Sequence, residues 1–310
     1  MGQRGLSKFN KPAFKDATLV GGAMIIFFGV QNLMALGYAY LPWEADLSEV
    51  GGLLQEMSYY LCGIFLAILF LRRRDSDVML RRTSKDNARM AVLVFAGGYI
   101  VVIGLNLLFY YLTDAVGLQS YDIQDTPPAS AGGRILRLIE VSVIAPVFEE
   151  ILFRGLILGR LRKYGNGFAI IISSLLFACA HSTLYGIPGI FFLAVLFAYV
   201  DIKCDSIYPS MVFHFINNFY ATIVSYYQDN IPVYLAIASI MGIVFSGCMV
   251  AFVFLIIKAE NYKKRTKSPL LKGKLRGPYG AVFASPTILI YLIYSVFSLV
   301  YTTLAASGLR

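Results

Sequence analysis

Nine apolar runs divide this chain, with short polar connections between them. They cover about Thr18–Leu41, Leu53–Leu71, Met90–Leu112, Ile135–Leu158, Phe168–Tyr185, Pro188–Val200, Pro209–Tyr227, Pro232–Ile257 and Pro286–Ala305. A helix needs about 20 apolar residues at 1.5 Å rise each to cross a bilayer, so the pattern predicts an all-α, polytopic transmembrane helical bundle of eight or nine spans. The count is open because Pro188–Val200 is short and reads equally as a re-entrant or deeply buried segment. Several runs start on proline, whose missing N–H costs nothing in the first helical turn, and Ser285 ahead of Pro286 is a suitable N-cap. The first run is too long for a cleavable signal and has no small-residue cleavage pattern, so it reads as a retained anchor. With no internal repeat and no soluble appendage, residues 1–310 read as a single integral membrane domain.

Composition agrees with that pattern, since 58% of the residues are hydrophobic and only 15% charged, a balance no soluble domain of this size would bury. The net charge of +9 could suggest nucleic acid, but the basic residues fall between the apolar runs, as membrane topology places them. Lysine and arginine concentrate in the N-terminus, in Arg72–Arg89, around Arg160, Arg162 and Lys163, and in Lys258–Arg276. These connections are expected on the cytoplasmic side of a plasma membrane, leaving the N-terminus in and the C-terminus out. Arg134 and Arg137 run against the rule, and the Val200–Tyr208 connection is nearly neutral. The cysteines, Cys62, Cys179, Cys204 and Cys248, have no CxxC spacing, which argues against a disulfide framework or a thiolate metal site.

The stretch hardest to explain by packing is PVFEEILFR, Pro146–Arg154, which puts two carboxylates and a guanidinium into the fourth apolar run. Ionisable groups at membrane depth cost about 2.5 to 3.5 kcal/mol each on insertion scales, so they are usually paired and functional. A structural ion pair accounts for Glu150 and Arg154, at i and i+4 on one helix face with the acid first. Glu149, turned by about 100°, is the carboxylate left over. Pro146 is expected to bend the helix and to leave the Ser142 carbonyl unpaired.

Two histidines follow, His181 at the end of FACAH and His214 at the start of HFINN. On helices, Phe177 would lie one turn before His181 on the same face, and Asn218 one turn after His214, with Asn217 pointing elsewhere. A lone membrane histidine is commonly only an interhelical hydrogen bond, worth about 0.6 to 2 kcal/mol. Together with a spare glutamate the set is what water-dependent acyl hydrolysis requires: a carboxylate to take a proton from water, an imidazole to orient that water, and donors for the oxyanion. The same Glu149, His181 and His214 match a zinc first shell with one position open. A metal-free mechanism is slightly preferred, because no third histidine is available. Serine and cysteine nucleophiles fit less well, since GxSxG is absent and Cys179 lies about 200° around the helix from His181.

The order EExxxR (Glu149, Glu150, Arg154), FxxxH (Phe177, His181) and HxxxN (His214, Asn218) resembles the CPBP family, the type II CAAX prenyl endopeptidases and their bacterial relatives in bacteriocin processing, self-immunity and abortive infection. The resemblance covers about residues 134–227. It implies a membrane-embedded protease, in a bacterial plasma membrane if the bacterial relatives are the guide, acting on a peptide or protein substrate, prenylated or not. It also implies that Glu149 and His181 activate the water, that His214 and Asn218 hold the oxyanion, and that Glu150 with Arg154 braces the site. Whether a metal takes part is left open by the family. Straight spans would set His181 and His214 at depths roughly 13 Å apart at 1.5 Å per residue, a mismatch that tilt or misplaced helix ends must absorb. The competing reading is a non-enzymatic immunity factor or transporter using the same groups as a relay; a transporter would favour inverted repeats, which the sequence lacks.

Overall fold

The computed structural model describes residues 10–40, 49–72, 80–118, 127–181, 183–260 and 278–308. Among them are helices and no strands. In chain order they are α1 (Lys11–Tyr40), α2 (Glu49–Arg72), α3 (Lys85–Ala115), α4 (residues 131–161), α5 (Asn166–Cys179), α6 (Ile187–Cys204), α7 (Tyr208–Tyr226), α8 (Ile231–Glu260), α9 (Tyr279–Phe283) and α10 (Pro286–Ala306). Each apolar run of the sequence therefore carries a helix. Among the described residues, α1, α2, α3, α6 and α10 are long and apolar enough to cross a membrane by themselves, and α5 and part of α8 are shorter apolar helices. The helices that carry the polar motifs, α4 and α7, are not in that set.

Of the helix ends that depart from expectation, three have a clear local reason. Helix α1 begins at Lys11 rather than near Thr18, because Asn10 caps it (Ala13 N to Asn10 Oδ1, 3.0 Å) and Asp16 is neutralised by Arg160 and Lys163. Helix α5 stops at Cys179 instead of running to Tyr185; its last turn tightens, with the Ala180 and His181 amides bonding the carbonyls of Phe177 and Ala178. At 14 residues and 1.5 Å each, it is shorter than the hydrocarbon thickness of about 30 Å. Helix α6 continues past Val200 to Cys204, which makes it 18 residues long and apolar enough to cross a membrane by itself. Asp201, which made the run look finished, is buried inside the helix and satisfied by Ser210. At the start of α10, Ser285 occupies the N-cap position without a capping bond; its hydroxyl lies 3.2 Å from that of Thr18, tying α10 to α1. Gly21 permits that approach, since a Cβ there would come within 2.5 Å of the Ile288 nitrogen.

Two apolar clusters result. One joins α1, α2, α4, α5 and α10 through Met24, Phe27, Ile64, Phe153, Phe177 and Tyr291. The other joins α3, α6 and α7 through Phe95, Tyr99, Leu193, Phe197 and Phe213. The polar motifs meet at the seam, between Phe177 of the first and Phe197 of the second. The two arginines that ran against the charge rule have partners of their own: Arg137 pairs with Glu56 and Glu140 at 3.0 and 3.1 Å, and Arg134 donates to the Pro128 carbonyl. The basic stretch expected at Lys258–Arg276 lies mostly outside the described residues, as do parts of Arg72–Arg89.

Candidate active site

Helix α4 changes register around the acidic pair. Stretches Glu140–Ile144 and Glu150–Leu158 are π-helical, with α-helical turns between and beyond them, and π-bulges of this kind cluster at functional sites. The first follows from Pro146. In the wide register the Ala145 amide bonds the Glu140 carbonyl, five residues back, and the next carbonyl, Val141, would need an N–H that Pro146 lacks. Asn218 supplies the missing donor, its Nδ2 lying 2.9 Å from the Val141 oxygen. The expected orphan was the Ser142 carbonyl; the π register moves the demand one residue earlier. Asn218 is in turn held by Asn217, whose Nδ2 donates to its Oδ1 at 2.9 Å, and Asn217 accepts from the Tyr99 hydroxyl at 2.7 Å.

His214 stands between the two glutamates. Its Nδ1 lies 2.9 Å from Glu150 Oε1, and its Nε2 lies 3.7 Å from Glu149 Oε2. The Glu150 carboxylate can only accept, so Nδ1 carries a proton and donates to it, which leaves Nε2 as the atom facing Glu149. Glu149 is the more accessible acid, its side chain 15% exposed against 0% for Glu150. Its other oxygen, Oε1, accepts from the Tyr60 hydroxyl of α2 at 3.0 Å.

Arg154 meets Glu150 as expected, with Nε 3.2 Å from Oε2, but the pair is close rather than aligned. None of the three guanidinium nitrogens has a hydrogen-bond partner among the described residues. The charge is instead sandwiched, 4.2 Å from the centre of the Phe177 ring and 5.4 Å from that of Phe197. Cation–π attraction at desolvated sites reaches about 2 kcal/mol, which supplements the Coulomb attraction of Glu150. Glu150 thus serves both Arg154 and His214.

His181 is not on a helix face but in the turn after α5, where its Nδ1 bonds the Phe177 carbonyl at 2.9 Å. The Phe177 ring touches both imidazoles, with centroid distances of 4.8 Å to His181 and 5.7 Å to His214. Among the described residues no group of three or more His, Cys, Asp or Glu side chains gathers as a cation site, so Glu149, His181 and His214 do not form a zinc first shell in this arrangement.

Two contributors escaped the sequence reading. Tyr60 is one of 21 tyrosines in the chain and has no signal of its own. Asp201 had one, being an acid inside the run FFLAVLFAYVDIKC. Its carboxylate accepts from the Ser210 amide (3.2 Å) and hydroxyl (2.6 Å) in the first turn of α7, satisfying a free N–H there and fixing the helix end one turn before His214.

Comparison with known proteins gives a consistent result. Residues 131–220 match the family model described as Rce1-like, type II CAAX prenyl endopeptidase. The Bacillus subtilis (strain 168) protein named "Putative membrane peptidase YdiL" is 24% identical over 196 residues, which are 62% of this chain and 79% of that relative. No solved structure matches. The matched segment contains Glu149, Glu150, Arg154, His181, His214 and Asn218, and leaves out Tyr60. On these residues and that segment, the chain is similar to the type II CAAX prenyl endopeptidases of the CPBP family, and its long apolar helices mark it as an integral membrane protein.

Proposed function

We propose that this chain is an intramembrane endopeptidase that hydrolyses a peptide bond near the membrane surface, with Glu149 as general base. The family supports a protease; the observation that carries the mechanism is the facing pair Glu149 Oε2 and His214 Nε2, 3.7 Å apart, with His214 pinned from behind by Glu150. That separation is too long for a direct hydrogen bond, and a water beside the two atoms could bond to both. Glu149 takes one proton from this water while its oxygen attacks the scissile carbonyl carbon. In its imidazolium form, with Nδ1–H still donated to Glu150, His214 donates from Nε2 to the oxygen on which negative charge develops. Collapse of the tetrahedral intermediate breaks the C–N bond, and Glu149 returns its proton to the leaving amine. His181, with Nδ1 fixed by the Phe177 carbonyl, offers Nε2 to the same water or to the departing group. Asn218 takes a positioning part, because its amide already holds the Val141 carbonyl.

Purified wild type and Glu149→Gln, assayed in detergent on a quenched peptide library, test this. Glutamine keeps the shape and removes the basicity, so cleavage should fall by about 100 to 10,000 fold, the usual contribution of general-base catalysis, in a folded protein. Full activity in Glu149→Gln would refute the mechanism, and a biological phenotype surviving the mutation would favour the non-enzymatic immunity reading. Paired farnesylated and unmodified peptides decide whether the substrate is prenylated. Chelation and metal analysis of both proteins decide metal dependence, since a zinc enzyme would lose metal and activity together.

A further inference from the structure

We infer that Tyr60, on a helix outside the family-matched segment, is a positioning residue that selects which oxygen of Glu149 does the chemistry. The inference rests on the reading of Glu149 as the general base. A carboxylate has two equivalent oxygens and a terminal torsion that is broad and roughly two-fold. Left alone in a pocket, it would present either oxygen over a range of angles. The Tyr60 hydroxyl has one proton to give and lies 3.0 Å from Glu149 Oε1, against 3.5 Å from the Ala145 carbonyl, so the carboxylate is the better acceptor. With Oε1 held, Oε2 is the oxygen turned to His214 Nε2.

Tyr60 is itself well placed to act as a fixed donor. Its ring packs edge-on against the buried Phe27 of α1, with centroids 5.6 Å apart. Three residues along α2, on the same side, Gly63 sits against the Phe27 backbone so closely that a Cβ would come within 2.4 Å of the Phe27 carbonyl oxygen. The α1–α2 crossing therefore sets the height and direction of the phenol, and α4 brings Glu149 to it. The proposed catalytic base is thus shaped by a pair of helices that the motif segment does not include.

The test is Tyr60→Phe, which removes one oxygen and keeps the ring against Phe27. It is compared with wild type and Glu149→Gln on the quenched peptide that the wild type cleaves fastest, with thermal unfolding measured in the same detergent. Misplacing a reacting group by an ångström costs on the order of 100 fold, so kcat should fall by roughly 10 to 100 fold, with KM and the thermal midpoint unchanged and Glu149→Gln inactive. Wild-type kcat in Tyr60→Phe beside an inactive Glu149→Gln overturns this inference and leaves the general-base reading standing. Full activity in Glu149→Gln overturns both. A fall in kcat accompanied by a lower thermal midpoint makes Tyr60 a packing residue and also overturns the inference.

Discussion

Helix α4 and the turn after it carry two buried polar clusters, and the difference between them separates chemistry from architecture. At its C-terminal end, Asp16 of α1 is saturated: Oδ1 faces Arg160 at 3.3 Å, and Oδ2 receives Lys163 at 2.6 Å and the Tyr164 hydroxyl at 2.7 Å. Arg160 also donates to the Leu71 carbonyl at 3.3 Å, so α1, α2 and the end of α4 are stapled together. In the middle of the helix, Glu149 Oε2 has only a 3.7 Å approach to an imidazole, and the Arg154 guanidinium is stacked between aromatic rings without a hydrogen bond. The first cluster has used up its acceptors. The second leaves two oxygens without a hydrogen-bond donor: Glu150 Oε2, buried against the Arg154 charge, and Glu149 Oε2, on the more exposed acid and next to an oriented histidine. An accessible unused acceptor, rather than the density of charge, is what the proposed catalytic cluster has and the Asp16 cluster lacks.

The largest expected contrast comes from neutralising one acid in each. Glu149→Gln should remove cleavage by the factor given above with little change in stability, whereas Asp16→Asn should lower abundance and thermal stability while each folded molecule keeps its kcat. Turnover per folded molecule in detergent separates the two; a catalytic loss in Asp16→Asn at full stability would erase the distinction. Next in size are the cations. Arg154→Ala leaves Glu150 buried with His214 as its remaining partner, and breaking a buried pair costs about 3 to 5 kcal/mol. Arg160→Ala should cost less, because Asp16 retains Lys163 and Tyr164. Replacing Glu150 and Arg154 together by apolar residues should recover abundance better than activity, since it removes the charges but also the support of His214. Equal unfolding midpoints for Arg154→Ala and wild type would remove this ion pair from the account.

Much of this was legible in the sequence because apolar surroundings make polar residues conspicuous. Glu149, Glu150, Arg154 and His214 stand out in runs that otherwise carry Leu, Ile and Phe, and helical spacing alone joined Glu150 to Arg154. The register of α4 was not legible. It depends on Pro146 and on a donor from Asn218, 77 residues away from the carbonyl it meets, and no local pattern encodes that pairing. The bond from Asn218 to the Val141 carbonyl was hidden for the same reason: spacing shows which face a residue shares, not which acceptor it reaches. His181 was placed on a helix because Ser182 to Tyr185 interrupt the apolar run only weakly, so the end of α5 was invisible. Membrane orientation rests on the loop charges, and labelling in intact cells of a cysteine introduced at Lys264, in a background without native cysteines, would reverse the expected cytoplasmic placement.

The smallest effect expected is at Asp201, and it refines the comparison because this carboxylate is as buried as Glu150 yet belongs with the architectural cluster. It accepts from the Ser210 amide and hydroxyl at the start of α7, and Ser210 Oγ also lies 2.9 Å from the Ile207 carbonyl. Asn in its place can still accept the amide through its carbonyl oxygen, and its NH2 can donate to Ser210 Oγ, whose own proton then turns to Ile207. Asp201→Asn should therefore keep stability and kcat near wild type. Asp201→Ala leaves the amide without an acceptor, and losing a helix cap of this kind costs about 0.5 to 2 kcal/mol. Because His214 is one turn further along the same helix, a small loss of kcat should accompany the lower unfolding midpoint in Ala and be absent in Asn. A large loss of kcat in Asp201→Asn at unchanged stability would move Asp201 from the architectural class to the functional one.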